Sequence, residues 1–424
     1  MRTMKDSGIE WIGQIPQEWD VCKIKNCFNV FAGATPKSGN SEFWDGDIVW
    51  VTPADYTTEQ KYISKGRKNI TREGFESCST EMIPTGSLIF SKRAPIGLAA
   101  INTVELCTNQ GCLSCVPLDE NDVEYFYYAF GCFSEQFDLY GSGTTFKEIS
   151  ADAFVNFSIP CPVPETQRKI SEYLRNRCAE IDALIAAKVK TNALLKERRQ
   201  SIIYEAVTKG LNLNAPMKDS GIEWIGQIPQ DWQIAKVKHV YSFQTGWTPS
   251  TSNAAYFDGD LPWANISDIG KTKTIYDTAK HITEEAVANS SMGISPKGSL
   301  MYSFKLSVGD VSFCGTDMYT NEAIATFLPS DKYDLRYLYY AAPLFIIKNA
   351  NENIYGAKLL NQELIRNALI LNPPYNEQVS VADYLDAKCA EIDALISANE
   401  ATIKKLKEYR QSIIYEAVTG KIEI

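Results

Sequence analysis

The chain has 424 residues, of which 45% are hydrophobic and 22% charged, which is ordinary for a soluble globular protein of two or three domains. Its net charge of -10 argues against a protein that grips nucleic acid unaided, since phosphate contacts call for a basic surface. No apolar run reaches the ~18 residues of a membrane span, and MRTMKDSGIEW lacks a signal-peptide core. We therefore expect a cytoplasmic protein without membrane contact.

The first element along the chain is the opening segment MKDSGIEWIGQIPQ at 4–17, which recurs letter for letter at 217–230. Further motifs recur in the same order at offsets of 211 to 213 residues. FWDGDIVW, PTGSLIFS and CTNQG in the first half match YFDGDLPW, PKGSLMYS and YTNEA in the second. CAEIDALI and RQSIIYEAVT occur unchanged in both halves. The chain is therefore an internal tandem repeat of two halves.

Each half consists of a globule followed by a long helix. The globules are rich in Gly, Pro, aromatic residues and short β-like runs such as GSLIF, and outside the shared motifs they diverge strongly. The stretches that follow them lack Gly and Pro until their ends, which predicts helices. We place the first globule at 1–162, the first helix at 163–210, the second globule at 211–374 and the second helix at 375–424.

Both helices carry an apolar seam with a spacing of seven residues, which is typical of a coiled coil. Leu184, Ile185 and Leu194 are expected to fill in the seam of the first helix. The alternative is that each helix is amphipathic and lies on a globular core. The seam positions are Leu174, Ile181, Lys188, Leu195 and Ile202 in the first helix, and Leu385, Ile392, Asn399, Leu406 and Ile413 in the second.

The connectivity fixes the direction of a paired arrangement. The first helix delivers the chain to the second globule, so a second helix packed along it must run back, and the pair is antiparallel. We predict an α+β fold with two mixed α/β globules separated by an antiparallel coiled coil of about 65 Å, with a pseudo-twofold internal repeat. Lys188 and Asn399 lie at the seam midpoints, and we hypothesise that they meet and fix the register.

The cysteines do not form an evident site in the sequence. There are 11 of them, an odd number, which argues against a disulfide framework. Cys112 and Cys115 form a CxxC with Cys107 nearby, but zinc would need a fourth ligand and both histidines lie in the second half. We favour buried or free thiols over metal binding, and we expect no metal site.

The order of the motifs resembles the specificity subunit of type I restriction–modification systems, over essentially the whole chain. WIGQIPQEW resembles the start of a target recognition domain. AGATPKSGNSEFWDGDIVWVTPAD, TGWTPSTSNAAYFDGDLPWANISD, IPTGSLIFSKRAPIGLAAI and TNQG resemble its later motifs. EIDALI and LKERRQSIIYEAVTKG resemble the family's conserved helix. Each motif is weak alone, but their order in both halves is specific.

The resemblance implies a non-catalytic subunit that recognises DNA. Each globule would be a target recognition domain that reads one half of a bipartite, asymmetric site in double-stranded DNA, and the helix pair would set the spacer. Two modification subunits would dock on the helices and methylate adenine, and restriction subunits would complete an ATP-dependent nuclease. No cofactor is expected on this chain, because S-adenosylmethionine, ATP and Mg would be bound by the partner subunits.

Candidate DNA-contacting residues are loop side chains that follow the strand-like motifs. Arg and Lys suit guanine edges and phosphates, Asn and Gln suit adenine, and Ser and Thr suit either, although each could instead be a solvated or turn-forming residue. Trp50 and Trp263 are expected in the core. The candidates are Thr35, Lys37, Ser91, Lys92, Arg93, Asn109, Gln110, Thr145 and Lys147 in the first globule, and Thr248, Ser250, Ser303, Lys305, Ser307, Asn321 and Lys358 in the second.

Two other functions compete with this interpretation. NPPY at 372–375 has the letters of the amino-methyltransferase motif, so a stand-alone DNA adenine methyltransferase is the main alternative. No glycine-rich nucleotide-binding turn precedes it, and its counterpart in the first half, CPVP at 161–164, lacks the motif. A scaffold whose globules bind protein is a third possibility, which predicts no sequence-selective retention of DNA.

Overall fold

A computed structural model of the chain describes residues 2–57, 60–143, 147–290, 293–352, 356 and 358–424. It divides into two compact units. Unit 1 comprises Met1–Val189 with Glu400–Ile424, and unit 2 comprises Lys190–Asn399. Each unit therefore holds one globule together with a segment of each long helix.

Globule 1 is built on a five-stranded sheet of order β4-β11-β8-β9-β6 and a three-stranded sheet of order β10-β5-β7, with the pairs β1-β2 and β3-β12 beside them. Its strands are β1 (Met4–Asp6), β2 (Gln14–Pro16), β3 (Asp20–Lys23), β4 (Phe28–Ala32), β5 (Trp44–Val51), β6 (Tyr62–Ile63), β7 (Lys68–Ile70), β8 (Leu88–Ser91), β9 (Ala99–Asn102), β10 (Cys107–Thr108), β11 (Cys112–Pro117) and β12 (Ser158–Cys161). Its helices are α1 (Arg72–Glu76), α2 (Val123–Cys132), α3 (Ser134–Leu139) and α4 (Ala151–Val155), and α5 (Pro164–Lys209) follows.

Globule 2 repeats this plan, with sheets of order β16-β23-β20-β21-β18 and β19-β17-β22, the pairs β13-β14 and β15-β26, and a β24-β25 hairpin. Its strands are β13 (Met217–Asp219), β14 (Gln227–Pro229), β15 (Gln233–Lys236), β16 (Phe243–Thr245), β17 (Leu261–Ala264), β18 (Thr274–Ile275), β19 (His281–Ile282), β20 (Leu300–Ser303), β21 (Val311–Cys314), β22 (Tyr319–Thr320), β23 (Ile324–Phe327), β24 (Asn351–Glu352), β25 (Lys358–Leu359) and β26 (Leu369–Asn372). Its helices are α6 (Val237–Val240), α7 (Glu284–Ala288), α8 (Leu335–Phe345) and α9 (Gln362–Asn367), and α10 (Tyr375–Val418) follows.

The central strand of each five-stranded sheet is buried on both faces, because the sheet separates two cores. Side chains alternate across a strand. Leu88 and Phe90 on β8 therefore join the large aromatic core around α2, whereas Ile89 faces a smaller core on the other side. Met301 on β20 likewise faces a smaller core, separate from that of its two neighbours. This explains why GSLIF and GSLMYS read as continuous apolar runs.

The long helices pair in antiparallel fashion, as predicted. In unit 2, Asn192 Oδ1 accepts a hydrogen bond of 2.8 Å from Asn399 Nδ2, and Arg199 lies 3.0 Å from Asp393. The later residue of α5, Arg199, contacts the earlier residue of α10, Asp393, so the two helices run in opposite directions. The fold class is therefore the predicted α+β class with an antiparallel coiled coil. Within unit 2 Asn399 is hydrogen-bonded to Asn192, a residue that the heptad did not single out. The expected meeting of Lys188 and Asn399 stays a prediction.

The seam residues are covered to different degrees. Those near the globules are buried, namely Leu174, Ile181, Leu385, Ile392 and Ile413, whereas Lys188, Leu195, Ile202, Asn399 and Leu406 are half-buried. Leu174 and Ile181 share one cluster with Ile413 and the core of globule 1, so these helix segments also lie on a globular core. Leu184 and Leu194, expected to fill in the seam, are each 55% exposed, because a helix pair covers only a narrow stripe of each helix.

Each helix is joined to its globule by a buried glutamine. Gln167 Nε2 donates to the carbonyl of Pro162 at 2.8 Å, and its Oε1 accepts from the main chain of Asp122 at 2.8 Å. Gln378 makes the equivalent bonds to Pro373 at 2.9 Å and to Asp334 at 3.0 Å. These bonds satisfy main-chain groups where the strand turns into the helix.

The end of each long helix is fastened to a globule by a buried tyrosine. Tyr125 donates to Val418 O at 3.1 Å in unit 1, and Tyr337 donates to Val207 O at 3.2 Å in unit 2. The opening segments lie beside the same helix ends, since Tyr204 donates to the carbonyl of Trp224 at 2.9 Å in unit 2 and Tyr415 donates to the carbonyl of Ile12 at 3.5 Å in unit 1. The two copies of the opening segment therefore occupy equivalent junctions.

In the part of the chain that the structure describes, no helix combines the length and the apolar character needed to cross a membrane.

Candidate nucleic-acid interface

Each globule presents a Gly-x-Thr-Pro loop, at 33–36 and 246–249, that is pressed against a neighbouring strand. A Cβ on the glycine that opens the first loop would lie 2.2 Å from Thr108 O, and on the second 1.7 Å from Thr320 O. Both distances are far below van der Waals contact, so only glycine fits. The loops are fixed at their first residue, which places the following threonines on the surface.

The tryptophan of the GDIVW and GDLPW motifs donates a hydrogen bond to the main chain of this loop. Trp50 Nε1 donates to Ala34 O at 3.0 Å, and Trp263 Nε1 donates to Trp247 O at 3.0 Å. Trp50 and Trp263 are buried, which confirms that they belong to the core. A buried indole whose N–H has a partner anchors the loop and is unavailable for stacking on bases.

A second loop, the Asn turn, lies beside the first. Asn109 Oδ1 accepts from Gly111 N at 2.9 Å, and Asn321 Oδ1 accepts from Ala323 N at 3.1 Å. These side chains therefore shape a turn, the role that competed with DNA contact for both asparagines. The residue at the tip of each turn is exposed.

The two loops are joined by one hydrogen bond whose acceptor differs between the globules. In globule 1, Thr35 Oγ1 donates to the amide oxygen of Gln110. In globule 2, Thr248 Oγ1 donates to the carboxylate of Glu322. This hydrogen bond lowers the pKa of Glu322, so the tip of the second turn carries a negative charge at neutral pH. The same framework thus presents a neutral amide in one copy and a carboxylate in the other.

A basic loop completes the group in globule 1. Lys92 and Arg93 both pair with Glu148, at 2.8 and 2.6 Å, and the main-chain N–H of Lys92 donates to Gly111 O at 2.9 Å. Partial burial raises the pKa of Glu148, but hydrogen bonds from the two cations outweigh it and hold that pKa below its usual value. Two cations therefore share one carboxylate beside the Asn turn.

The corresponding loop of globule 2 carries less positive charge. Lys305 is the counterpart of Arg93, and its Nζ lies 3.9 Å from a carboxylate oxygen of Glu322. Phe304 N donates to Ala323 O at 3.0 Å, as Lys92 does in globule 1. We call Thr35, Gln110, Lys92 and Arg93 loop cluster 1, and Thr248, Glu322 and Lys305 loop cluster 2.

Ser91 and Ser303 correct the sequence-based assignment. Both are fully buried, and their hydroxyls donate to the main-chain carbonyls of Arg93 and Lys305, at 2.8 and 3.2 Å. A buried hydroxyl that is already hydrogen-bonded cannot reach a base or a phosphate without rebuilding the loop. These serines therefore hold the basic loop in shape.

The remaining candidates are not joined to the loop clusters by a described side-chain contact. Lys37, Ser250 and Ser307 are exposed. Lys147 pairs with Asp138, and Lys358 pairs with Glu352 across the β24-β25 hairpin. Thr145 lies outside the described residues.

Two acidic residues of the loops were missed in the sequence. The candidate residues were basic, amide and hydroxyl side chains, because these commonly contact DNA. The acidic residues Glu148 and Glu322 were therefore not among them. The repeat itself offered a signal for Glu322, because TNQ and TNE align Gln110 with it. No sequence signal points to Glu148.

The NPPY segment has a structural role at the helix junction. Asn372 ends β26, Tyr375 begins α10, and Asn372 Oδ1 accepts from Gln378 Nε2 at 3.3 Å. These contacts are those of a strand-to-helix junction, the same place that CPVP occupies in unit 1. The segment therefore does not favour the methyltransferase alternative.

The CxxC group is buried in the sheet region of globule 1. Cys107, Cys112 and Cys115 are each fully buried and free. Burial raises the pKa of Cys107 and of Cys112 to about 12, so both remain thiols at neutral pH.

Comparisons with known proteins agree on one family. The family model for the type I restriction modification DNA specificity domain matches residues 16–191 and again 229–407. The type I restriction enzyme MjaIX specificity subunit of Methanocaldococcus jannaschii is 28% identical over 428 residues, which cover 97% of this chain and 95% of that protein.

Two solved structures share the fold at 17% identity. One, from a study of complex assembly and conformational transition of the type I R-M system, has a TM-score of 0.76 and covers 96% of this chain and 99% of its own. The HsdS subunit of Thermoanaerobacter tengcongensis has a TM-score of 0.57, with 96% and 98% covered. The duplicated family match, which spans most of both halves, establishes that the chain belongs to the DNA specificity family of type I restriction–modification systems.

Proposed function

We propose that this chain is the non-catalytic subunit that recognises DNA in a type I restriction–modification complex, with each globule reading one half of a bipartite, asymmetric site. The observation that carries the proposal is the pair of loop clusters. They have the same framework but different chemistry at the same point, Gln110 in one and Glu322 in the other. An amide suits an adenine edge, and a carboxylate accepts from cytosine N4, so the half-sites differ.

The helix pair sets the spacer between the half-sites in this proposal. Interhelical ion pairs recur at equivalent positions, Asp182 with Arg410 and Asp393 with Arg199, each at 3.0 Å. Such pairs, together with the Asn192–Asn399 hydrogen bond, support a fixed register. Four residues added to each helix would lengthen the pair by about 6 Å, roughly two base-pair steps.

The same helices dock the modification subunits, and the repeat supports two of them. Each unit has a groove between its helix segment and its globule, lined by Arg410, Ser412 and Tyr128 in unit 1 and by the equivalent Arg199, Ser201 and Tyr340 in unit 2. Leu184, Leu194 and Leu395 on the helices are each 55% exposed, which suits contact with a partner.

The chemistry belongs to the partners in this account. S-adenosylmethionine, ATP and Mg are bound by the modification and restriction subunits, which act in the cytoplasm on double-stranded DNA. These partners also supply much of the phosphate contact that a chain of net charge -10 lacks.

Sequencing of methylated bases in the host, with and without the gene for this chain, tests the proposal. We expect one split adenine-methylated motif with unlike halves that disappears without the gene. A motif that persists without the gene, or tight S-adenosylmethionine binding by the purified chain alone, would contradict it.

A further inference from the structure

Three cysteine side chains converge at the junction between globule 1 and its helix, away from loop cluster 1. Cys22 lies on β3 and Cys161 on β12, as diagonal neighbours in the antiparallel β3-β12 ladder. Cys27 follows the short turn Ile24–Asn26, which brings it back to them. Its sulfur lies 2.9 Å from that of Cys22 and 3.8 Å from that of Cys161. All three sulfurs lie within 4.8 Å of one another.

These separations suit a thiolate-bound metal ion. Two sulfurs bound to Zn²⁺ at about 2.3 Å with tetrahedral geometry lie about 3.8 Å apart. The Cys27–Cys161 distance already has this value, and the Cys22 and Cys27 sulfurs would move apart by about 1 Å to admit the ion. Cys22 and Cys161 are half-buried, so the group of sulfurs can be reached from solvent.

A buried side-chain amide lies next to the Cys161 sulfur. Gln167 Nε2 lies 3.9 Å from Cys161 Sγ, and this buried amide is the one that fastens α5 to the globule. An N–H donor to a sulfur ligand is the kind of outer contact that orients metal ligands. Among the described residues the ligand group holds these three cysteines, which leaves a fourth tetrahedral position for water.

The second half of the chain shows that the fold does not need these thiols. The repeat places Ala235 and Asn372 at the equivalent positions on the matching β15-β26 pair, and Val240, at the end of α6, at the position equivalent to Cys27. Cysteine makes up only 11 of 424 residues, so three of them at three contacting positions rarely coincide by chance. The cluster is therefore a feature of unit 1 that the duplicated scaffold does not explain.

We propose that Cys22, Cys27 and Cys161 bind one thiophilic divalent cation, Zn²⁺, as a structural site. On binding, three S–H bonds ionise, three Zn–S bonds form and three protons pass to solvent. The ion cross-links β3 to β12 where the chain enters α5, and so stabilises the junction of unit 1 only. This site does not depend on the proposed role in DNA recognition.

The test uses the full 424-residue chain, reduced with a non-thiol reductant and freed of metal. Titration with Co²⁺ should give thiolate-to-metal charge-transfer absorbance that saturates at one ion per chain, and Zn²⁺ should displace it. Zn²⁺ should also raise the melting temperature. The variant C22A/C27V/C161N carries the residues of the second copy, which fit this scaffold, and should lose both effects. Cys78→Ala, a half-buried cysteine outside the cluster, should keep them.

Absence of thiolate-to-cobalt bands in the wild-type chain would overturn the proposal, and so would bands that persist in the triple variant. A Cys22–Cys27 disulfide in chain purified without reductant, together with no metal uptake after reduction, would also overturn it in favour of a redox pair. Circular dichroism that shows a folded triple variant separates loss of metal binding from loss of fold.

Discussion

The two globules repeat the same framework and differ in the side chains that the framework presents. Their sheets have the same strand order. In both globules a Gly-x-Thr-Pro loop packs closely against a strand and lies beside an Asn turn. At the tip of that turn, however, globule 1 has Gln110 and globule 2 has Glu322. The difference indicates that the residues shared by the two copies form the scaffold. Specificity is expected from the few residues that differ within it, such as Gln110 and Glu322.

The largest expected effect tests whether the shared glycine is part of that scaffold in both copies. Gly33→Ala and Gly246→Ala each place a methyl group against a main-chain carbonyl, at 2.2 and 1.7 Å. We expect each to lose about 3 kcal/mol of unfolding free energy, measured by urea denaturation. Gly39→Ala is the control, since nothing lies within 4 Å of its Cβ position. Equal stability of all three variants would show that the loops are not pinned.

The next effect sharpens the comparison at the junctions. Gln167→Ala and Gln378→Ala each leave buried main-chain groups without their partners. We expect both to lose about 2 kcal/mol of unfolding free energy, because unsatisfied buried groups retain their desolvation cost. Gln200→Ala, at an exposed position of α5, controls for helix propensity. A large difference between the two junction variants would contradict their structural equivalence.

A change at the turn tip tests where the globules differ. Glu322→Gln gives loop cluster 2 the amide of loop cluster 1. Because an amide donates where a carboxylate accepts, preference at one base pair of the second half-site should change by about 1 to 3 kcal/mol. The methylated motif of the complex reports it, and the first half-site serves as the internal control. A changed base preference in the first half-site, with the second half-site unaltered, would contradict the assignment of Glu322 to the second half-site.

The smallest effect concerns the cations of loop cluster 1. Glu148→Gln frees Lys92 and Arg93 from their shared carboxylate. We expect the complex to bind DNA a few-fold more tightly at low salt, with a salt dependence steeper by about one phosphate contact. Glu165→Gln makes the same charge change on α5, away from the loops, and should have little effect. Equal gains in both variants would mean that only net charge matters.

The architecture was readable from the sequence because the repeat and the heptad are long-range patterns. The details that failed are local. Ser91 looked like a loop residue, but the last position of β8 is buried and its hydroxyl is used by the backbone. Leu184 and Leu194 fit an apolar pattern but lie outside the stripe that one partner helix covers. Residues joined only by folding, such as Glu148 to Lys92, leave no trace in the spacing.

A domain transplant tests the central claim most directly. Residues 28–157 are replaced by 241–368, so that both globules carry the loops of globule 2, and the methylated motif of the resulting complex is sequenced. Because the helices are antiparallel, we predict a symmetric motif made of the second half-site and its inverted repeat, with the spacer unchanged. An active complex that retains the original asymmetric motif would contradict the account.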